Sequence, residues 1–297
     1  MTVRFYDVGQ ALAVLVELPD GRRVLIDAGE QPKRAGCGAP CERWSQHLLE
    51  SLERDLPDKR LDLLWITHQH SDHAGNAEAI LRGFRVAQYV DNGTNLASGP
   101  IERARKAAEE SETDVVVVDP ARADCPLADG AEITFKPLVP SAWPRRCDDE
   151  PNDCSIGLRI DYCESSVLFT GDAEHGEEAA FELASPARLL QVGHHGSDTS
   201  SSEAFMNKVR PSWAVISVAK RNEGTNRTYC HPRRSTVERL SSLVGGSAPR
   251  PLEVFQGERC SDSDWTTIDV SERILVTARD GDITLTTTGN GEFALLH

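Results

Sequence analysis

Three histidines and one aspartate lie within six consecutive positions, in the pattern His68-x-His70-x-Asp72-His73. Neutral imidazoles and carboxylates are side chains that bind zinc, manganese and iron in proteins. Four such groups at this spacing cannot all reach one tetrahedral ion, so the pattern predicts two metal ions side by side. The alternative is a polar turn that is rich in histidine by chance.

Two later segments add the same types of side chain, each directly after an apolar stretch. Asp172 follows residues 166–170, and a carboxylate can bridge two ions through its two oxygens. His194 and His195 follow residues 189–192, and the glycines on both sides allow the backbone to approach a ligand closely. These segments extend the prediction to a dinuclear site that is assembled from several strand ends.

Two further features are predicted to support this site. Asp27 ends an apolar segment, and we expect it to hold a metal-ligand histidine rather than only to cap a turn. His231 and Arg233 stand just before a predicted helix over residues 235–243, and a helix N-terminus favours an anion such as phosphate. The alternative for His231-Pro232 is a simple helix cap.

The segments around these residues alternate between strands and helices. Residues 61–66 form an apolar strand and residues 76–81 begin a helix, so the metal cluster lies at the carboxyl end of a strand, where α/β proteins usually place their sites. Segments of strand character open and close the chain, over residues 3–26 and 251–297. We therefore expect an α/β fold in which residues 1–297 form a single domain, a four-layer αββα sandwich.

The composition narrows the possible partners. With 297 residues, of which 39% are hydrophobic, the chain can bury a substantial core. The net charge of −15 argues against a broad surface that follows nucleic-acid phosphates, although two divalent ions would add about +4 locally. No apolar stretch of membrane-spanning length and no signal peptide is visible in the sequence, so we expect a cytoplasmic protein without a membrane span.

The chain contains eight cysteines, an even number that permits disulfides. Cys37 and Cys41 lie in a loop that is rich in glycine and proline, and Cys147 and Cys154 flank an acidic loop. At Cys37-x-x-x-Cys41 we favour free thiols over a loop disulfide, and a disulfide over a structural zinc site, because the spacing lacks a matching second pair.

Taken together, these motifs resemble the metallo-β-lactamase superfamily over nearly the whole chain. Asp27 matches the first motif of that family, the His68–His73 cluster its second, Asp172 its bridging aspartate and His195 its last ligand histidine. The resemblance implies the sandwich fold of the superfamily and two divalent ions, zinc or manganese. It also implies six ligands, with His68 and His70 on one ion, Asp72, His73 and His195 on the other, and Asp172 between them.

A narrower resemblance points to the ComEC-like hydrolase branch, which is associated with DNA-uptake proteins. It is carried by Phe5-Tyr6-Asp7-Val8-Gly9-Gln10, by Asn152-Asp153-Cys154-Ser155, by the stretch from Val192 to Ser201 and by His231-Pro232. The sequence lacks the membrane channel of the full-length uptake proteins, so it resembles a stand-alone, soluble member.

Three features depart from the pattern of this branch. Ala11 and Leu12 stand where Gly-Asp is usual, and Arg233 stands where a second late histidine is frequent. No histidine occurs between His73 and His175, so the third imidazole of the first ion is missing. We expect Asn152, Ser155 or water to take its place.

The resemblance implies hydrolysis of phosphodiester bonds by a nuclease that acts on DNA. The two ions would lower the pKa of the attacking water, with Asp72 and Asp172 as catalytic ligands. His194, Ser197 or His231 would contact the phosphate oxygens, and one of them would protonate the leaving group. The residues expected to bind the substrate are Asn152, Ser155, Ser197 and Arg233.

Four other functions are considered beside this one. The acidic composition favours a smaller phosphodiester, such as a phosphocholine-type or nucleotide ester. Hydrolysis of β-lactams or thioesters is disfavoured because those branches use the missing third histidine, and oxygen reduction is disfavoured because that branch places a glutamate at the position of His70. A non-catalytic binding module on the same fold is disfavoured because degenerate members usually lose metal ligands.

Overall fold

The computed structural model describes residues 1–94, 99–122, 124–143, 147 and 149–296. The first half contains strands, then helices and strands in alternation. In chain order its elements are β1 (Thr2–Phe5), β2 (Val14–Glu17), β3 (Arg23–Ile26), α1 (Ala39–Asp55), β4 (Arg60–Trp65), α2 (Ser71–Ala74), α3 (Ala77–Gly83), β5 (Arg85–Asp91), α4 (Gly99–Glu110) and β6 (Asp114–Val117).

The second half continues the same alternation and ends in strands. Its elements are β7 (Ile133–Leu138), β8 (Gly157–Tyr162), β9 (Ser165–Phe169), α5 (His175–Ala180), β10 (Leu189–Gln191), α6 (Glu203–Val209), β11 (Trp213–Ile216), α7 (Asn226–Tyr229), α8 (Arg234–Ser241), β12 (Arg250–Phe255), β13 (Trp265–Val270), β14 (Ile274–Val276), α9 (Thr277–Asp280), β15 (Ile283–Thr286) and β16 (Ala294–Leu296).

These strands form two large sheets and a separate hairpin. The first sheet has the order β16-β15-β1-β2-β3-β4-β5-β6, and the second has the order β14-β11-β10-β9-β8-β7. Strands β3 to β6 are parallel in the first sheet, and β9, β10, β11 and β14 are parallel in the second. Strands β12 and β13 pair only with each other, as an antiparallel hairpin.

The core lies in three layers, which confirms the four-layer αββα sandwich. Alternate side chains of a strand face opposite sides of its sheet, and β2 buries both sides. Val14 and Val16 pack between the two sheets against the second sheet, whereas Leu15 packs under the helices that cover the first. A third apolar cluster packs α6, α8 and the β12–β13 hairpin on the outer face of the second sheet.

One polar contact joins the two sheets inside this core. The indole Nε1 of Trp65, at the end of β4, donates a 2.8 Å hydrogen bond to the carbonyl oxygen of Ile156, just before β8. Both residues are fully buried, so the bond fixes the carboxyl end of β4 against the second sheet. The carboxyl ends of the parallel strands of both sheets therefore lie close together.

The prediction of free thiols at Cys37 and Cys41 is wrong. These two cysteines are bonded, with their Cα atoms 5.9 Å apart, because the chain turns back through Gly38 (φ 69°) into the first turn of α1. Disulfides also join Cys147 to Cys154 and Cys230 to Cys260. Cys125 and Cys163 are free. Within the described residues, no helix is long and apolar enough to cross a membrane.

Candidate metal centre

The turn between β4 and α3 carries most of the predicted ligands, and neighbouring loops hold its backbone in place. Leu12 donates to the carbonyl of Asp72 (3.1 Å), and Ala28 donates to the carbonyl of His73 (2.6 Å). Gly75 closes the turn against the backbone of Gln31, so closely that a Cβ atom at position 75 would collide with it. The loops after β1 and β3 thus fix the orientation of the ligand side chains.

Two groups of ligand atoms converge at this turn. Ligand atoms of His68, His73 and Asp172 all lie within 4.8 Å of one another, and the same holds for Asp72, His73 and His195. Each residue is buried, and His73 belongs to both groups. The site therefore combines side chains from the end of β4 in the first sheet with side chains that follow β9 and β10 in the second.

The contacts of these atoms fit a metal ion. His73 Nε2 lies 3.2 Å from Asp172 Oδ1, and His195 Nε2 lies 3.5 Å from Asp172 Oδ2 and 3.7 Å from Asp72 Oδ2. The buried atoms His73 Nε2, His195 Nε2 and Asp172 Oδ1 have no hydrogen-bond partner within the described chain. Buried polar atoms in proteins are nearly always satisfied, so three orphaned ligand atoms that face one another favour a bound cation.

His70 occupies a less central position than the other predicted ligands. Its Nδ1 lies 3.0 Å from His68 Nε2, but it belongs to neither of the two converging groups. The structure therefore brings His73 and Asp172 to His68 and leaves His70 at the edge of the cavity, which it lines.

Asp27 lies behind the ligands and is completely buried. Its Oδ2 accepts a 2.7 Å hydrogen bond from His73 Nδ1, and its Oδ1 accepts a 2.7 Å bond from the backbone N–H of Thr67. His195 has a similar support, because its Nδ1 donates to the carbonyl of Ser217 at 2.9 Å. In both histidines the supported Nδ1–H leaves the Nε2 lone pair directed at the centre.

The directions of the pKa shifts describe a buried centre in which Asp172 is ionised and His73 and His68 differ in protonation. Burial lowers the pKa of His73, but Asp172 and Asp27 together raise it well above the usual histidine value. Burial raises the pKa of Asp172, but His73 and His195 outweigh it and hold that pKa well below the usual range. His68 is the opposite case, since burial and the neighbouring His73 hold its pKa well below that of a free imidazole. A neutral His68 beside the ionised Asp172 is in the protonation state that metal binding requires, whereas a bound metal would displace the proton that Asp172 and Asp27 favour on His73.

His194 and His195 are adjacent in sequence but face different surroundings. Both adopt left-handed backbone conformations (φ 49° and 52°), which non-glycine residues rarely adopt. His195 faces the buried centre, whereas the Nε2 of His194 lies 3.8 Å from Asp172 Oδ2, toward the cavity. His194 Nδ1 lies 3.4 Å from a carboxylate oxygen of Glu174 and 3.1 Å from Thr199 Oγ1. Burial lowers the pKa of His194, but Asp172 and Glu174 raise it above the usual value.

A cavity of about 410 Å³ opens above the centre. Predicted residues that line it include Asp72, Asn152, Asp172, His194, Ser197, His231 and Arg233. Asn152 Nδ2 lies 3.4 Å from His194 Nε2. Burial and the nearby His194 and His195 hold the pKa of His231 well below its usual value, so this ring is neutral at pH 7.

Ser155 is an exception among the residues expected to bind the substrate. It is completely buried, its hydroxyl has no hydrogen-bond partner within the described chain, and it does not line the cavity. The chain turns inward after the short helical turn Pro151–Cys154, which carries Ser155 into the core and leaves Asn152 at the cavity. Of the two side chains expected near the missing third histidine, only Asn152 lies at the cavity.

The structure also places at the cavity residues that were not among the predicted site residues. Arg34, from the loop before α1, lies 3.2 Å from Glu30, contacts the hydroxyl of Ser71 and donates a 3.1 Å bond to the hydroxyl of Tyr229. Gln10 Nε2 lies 3.1 Å from His231 Nδ1. No local pattern marks Arg34 or Tyr229, because their place depends on how three separate loops pack.

Comparison with known proteins gives matches that cover most of the chain. The profile of the Metallo-beta-lactamase superfamily matches residues 6–219, more than half of the chain. ComE operon protein 3 of Bacillus subtilis is 30% identical over 254 residues, which cover 80% of this chain and 30% of that protein. Recombination protein 2 of Haemophilus influenzae is 32% identical over 238 residues, which cover 79% of this chain and 26% of that protein. The chain thus matches less than a third of the length of either relative.

Among solved structures, a long form of RNase Z from yeast aligns with a TM-score of 0.49 at 11% identity. The alignment covers 99% of this chain and 50% of the RNase Z chain.

Proposed function

Because the chain belongs to the metallo-β-lactamase superfamily, whose fold is that of metal-dependent hydrolases, we propose that it hydrolyses phosphodiester bonds and that DNA is its substrate. The observation that carries this proposal is the position of the cationic side chains. Arg34, Arg233 and His194 line the same cavity as the ligand cluster. The attacked group of a phosphodiester carries a negative charge, which these cations suit better than the uncharged acyl group of a β-lactam or thioester.

We assign the metal ligands as the motifs indicate. Two divalent ions, zinc or manganese, would be held by His68 and His70 on one side and by Asp72, His73 and His195 on the other, with Asp172 between them. The position of His73, within reach of both groups of ligand atoms, supports a pair of ions that lie close together. Bound ions of this kind would stabilise negative charge on the phosphate and lower the pKa of a water molecule.

The remaining steps rest on side chains of this chain. Arg233, Ser197 and the neutral His231 would bind the phosphate oxygens. His194 is the group we assign to protonate the leaving oxygen, because Asp172 and Glu174 favour its protonated form and its ring faces the cavity. Glu174 and Thr199 would hold that ring in place through Nδ1, which leaves the Nε2–H free to donate toward the cavity.

The relatives and the composition favour different substrates. A relative that is named for recombination supports DNA. The net charge of −15 and a cavity of about 410 Å³ favour a smaller ester, such as a phosphocholine-type or nucleotide ester, and this remains the second candidate.

A substrate panel with added manganese or zinc tests the proposal. It contains single-stranded DNA, double-stranded DNA, RNA, bis-p-nitrophenyl phosphate, a phosphocholine ester and a β-lactam. We expect cleavage of bis-p-nitrophenyl phosphate and of DNA. Cleavage of the β-lactam without any phosphodiester would refute the proposal, and fewer than about one bound ion per chain after metal supplementation would favour a binding module instead.

A matched pair of serine variants tests the assignment of the cavity. Ser197 lines the cavity and Ser155 does not, although both are buried. We expect Ser197→Ala to raise the KM for bis-p-nitrophenyl phosphate and Ser155→Ala to leave it unchanged. The reverse result would place the substrate elsewhere.

A further inference from the structure

A second and larger cavity lies on the far side of His231. It has a volume of about 660 Å³, within the range of about 300–1,000 Å³ that is typical of ligand sites. The loop after β11 forms one wall and the β12–β13 hairpin forms another. His231 lines both cavities, so the segment that carries it separates the second cavity from the metal centre.

The charge of this second cavity is opposite to that of the whole chain. Lys220, Arg221 and Arg279 line it, and Glu253 is the only acidic residue among the lining residues in the described chain. Arg279 is held by Asp280, and Arg221 forms an exposed 3.2 Å ion pair with Glu253. Lys220 is exposed and forms no ion pair within the described residues. In a protein with a net charge of −15, this concentration of cations favours an anionic ligand.

An aromatic side chain forms another part of the wall. The Trp265 ring lines the cavity and packs edge-to-face on Phe255, with the ring centroids 5.6 Å apart. The guanidinium of Arg233 lies over the Phe255 ring, 4.9 Å from its centroid. The Trp265 ring is therefore fixed by packing, and a fixed aromatic ring beside cations is the arrangement that binds unpaired nucleobases next to their phosphates.

The segment that separates the two cavities is also bonded to the β12–β13 hairpin. The N–H of Phe255 donates to the carbonyl of Pro232 at 2.9 Å, and the disulfide Cys230–Cys260 ties the same segment to the hairpin. Arg233 thus lines the first cavity while it packs against the aromatic pair that borders the second. The distance between the two cavities is set by one short, well-anchored segment.

From this arrangement we infer that the second cavity binds the nucleotide next to the scissile phosphate of a single-stranded nucleic acid. The base packs against Trp265, and the phosphate that follows lies between Lys220 and Arg221. A base that packs against Trp265 in this cavity cannot pair with a complementary strand, so the substrate is single-stranded at this position. This inference rests on the proposed phosphodiesterase function and specifies the substrate within it.

Binding of a labelled, phosphorothioate-linked oligothymidine, followed by fluorescence anisotropy, tests the inference. Trp265→Ala should weaken binding roughly 5- to 100-fold, because base–aromatic stacking contributes that much, and Trp265→Phe should retain most of the affinity. Lys220→Ala/Arg221→Ala should weaken binding about tenfold and make it less dependent on salt. Arg60→Ala/Arg85→Ala is the matched control, since it removes two exposed charges at the opposite ends of parallel strands and should have little effect.

Hydrolysis of bis-p-nitrophenyl phosphate separates this inference from the proposed function. That ester is too short to reach the second cavity, so its rate should be unchanged in the Trp265 and Lys220/Arg221 variants, while the KM for single-stranded DNA rises. If wild type cleaves neither substrate, the proposed function fails. If wild type cleaves both and these variants bind the oligonucleotide as tightly as wild type does, the inference alone fails.

Discussion

The carboxylate of Asp27 accepts a 2.7 Å hydrogen bond from Nδ1 of His73, and neither side chain is exposed to solvent. This bond holds a proton on Nδ1 of His73, so that Nε2 is the nitrogen that faces Asp172 and would bind a metal. Asp27 is thus a supporting residue, and His73 depends on it for its role at the centre.

Replacement of Asp27 by asparagine should weaken metal binding by about 10- to 100-fold, the usual effect of losing such a support. Asparagine suits the test because Asp27 has a left-handed backbone (φ 57°), which asparagine tolerates. Competition with a chromogenic chelator would measure the affinity. Asp62→Asn is the control, because that carboxylate accepts a hydrogen bond from the backbone N–H of Arg23 and does not line the cavity. Equal affinities for the two variants would contradict the role of Asp27.

Replacement of Asp172 should affect hydrolysis more strongly than replacement of Asp27. Asp172 faces both His73, which follows a strand of the first sheet, and His195, which follows a strand of the second. We expect Asp172→Asn to lower turnover of bis-p-nitrophenyl phosphate by more than the roughly 10- to 100-fold expected for a supporting residue. A circular dichroism spectrum would show that the variant is folded, and near-normal turnover in a folded variant would rule out the assignment.

The fall in activity on the alkaline side of the pH–rate profile should follow the deprotonation of His194. The proposed acid His194 must be protonated to act, so we expect activity to fall as pH rises through its pKa, which Asp172 and Glu174 raise above the usual value. Glu174→Gln removes one of these carboxylates and makes the imidazolium less stable, so the pKa falls and the loss of activity moves to lower pH. Glu182→Gln alters another glutamate of the same region that does not line the cavity, and it should leave the profile unchanged. A loss of activity that stays at the same pH in Glu174→Gln would exclude His194 as the acid.

Metal should stabilise the folded chain, because its proposed ligands come from both sheets. At a free metal concentration 100 times the dissociation constant, the free energy of unfolding should rise by about 2.7 kcal/mol. Urea titrations with and without manganese or zinc would measure this difference. Asp172→Asn should lose most of it, whereas an undiminished effect in that variant would place the bound metal elsewhere.

The disulfides should differ in their contribution to stability according to the loops they close. Cys230–Cys260 spans 30 positions and Cys37–Cys41 spans only 4, so chain entropy predicts losses of about 3.7 and about 2 kcal/mol respectively. Paired cysteine-to-serine variants, unfolded in urea, would measure both values. A larger loss for Cys37→Ser/Cys41→Ser would show that packing against Trp44, rather than loop closure, dominates.

The sequence was most informative where the signal is local. The sequence alone shows an apolar segment that is followed by a carboxylate or an imidazole at Asp27, Asp172 and His195. Because parallel strands place their carboxyl ends at one edge, such signals also indicate which residues meet. That reasoning led to the buried cluster and to the αββα layers that the structure shows.

Features that depend on loop packing were not predictable in this way. Arg34 reaches the cavity because its loop folds over the Ser71 turn toward Tyr229, far away in sequence. Ser155 belongs to a motif that includes Asn152, yet the short helical turn before it sends its side chain into the core. Free thiols at Cys37 and Cys41 were expected because the spacing gives no information on the turn at Gly38 that brings them together.

The three disulfides all lie on the side of the protein that carries the cavity wall. Each bond lies beside residues that line the cavity: Cys37–Cys41 near Arg34, Cys147–Cys154 around Asn152, and Cys230–Cys260 next to Tyr229 and His231. The proposed metal ligands stand at the ends of strands and carry no such bond. For an engineer, cavity residues beside these bonds, such as Arg34, Asn152 and Tyr229, are therefore the positions at which to vary substrate preference while the ligands at the strand ends are left unchanged.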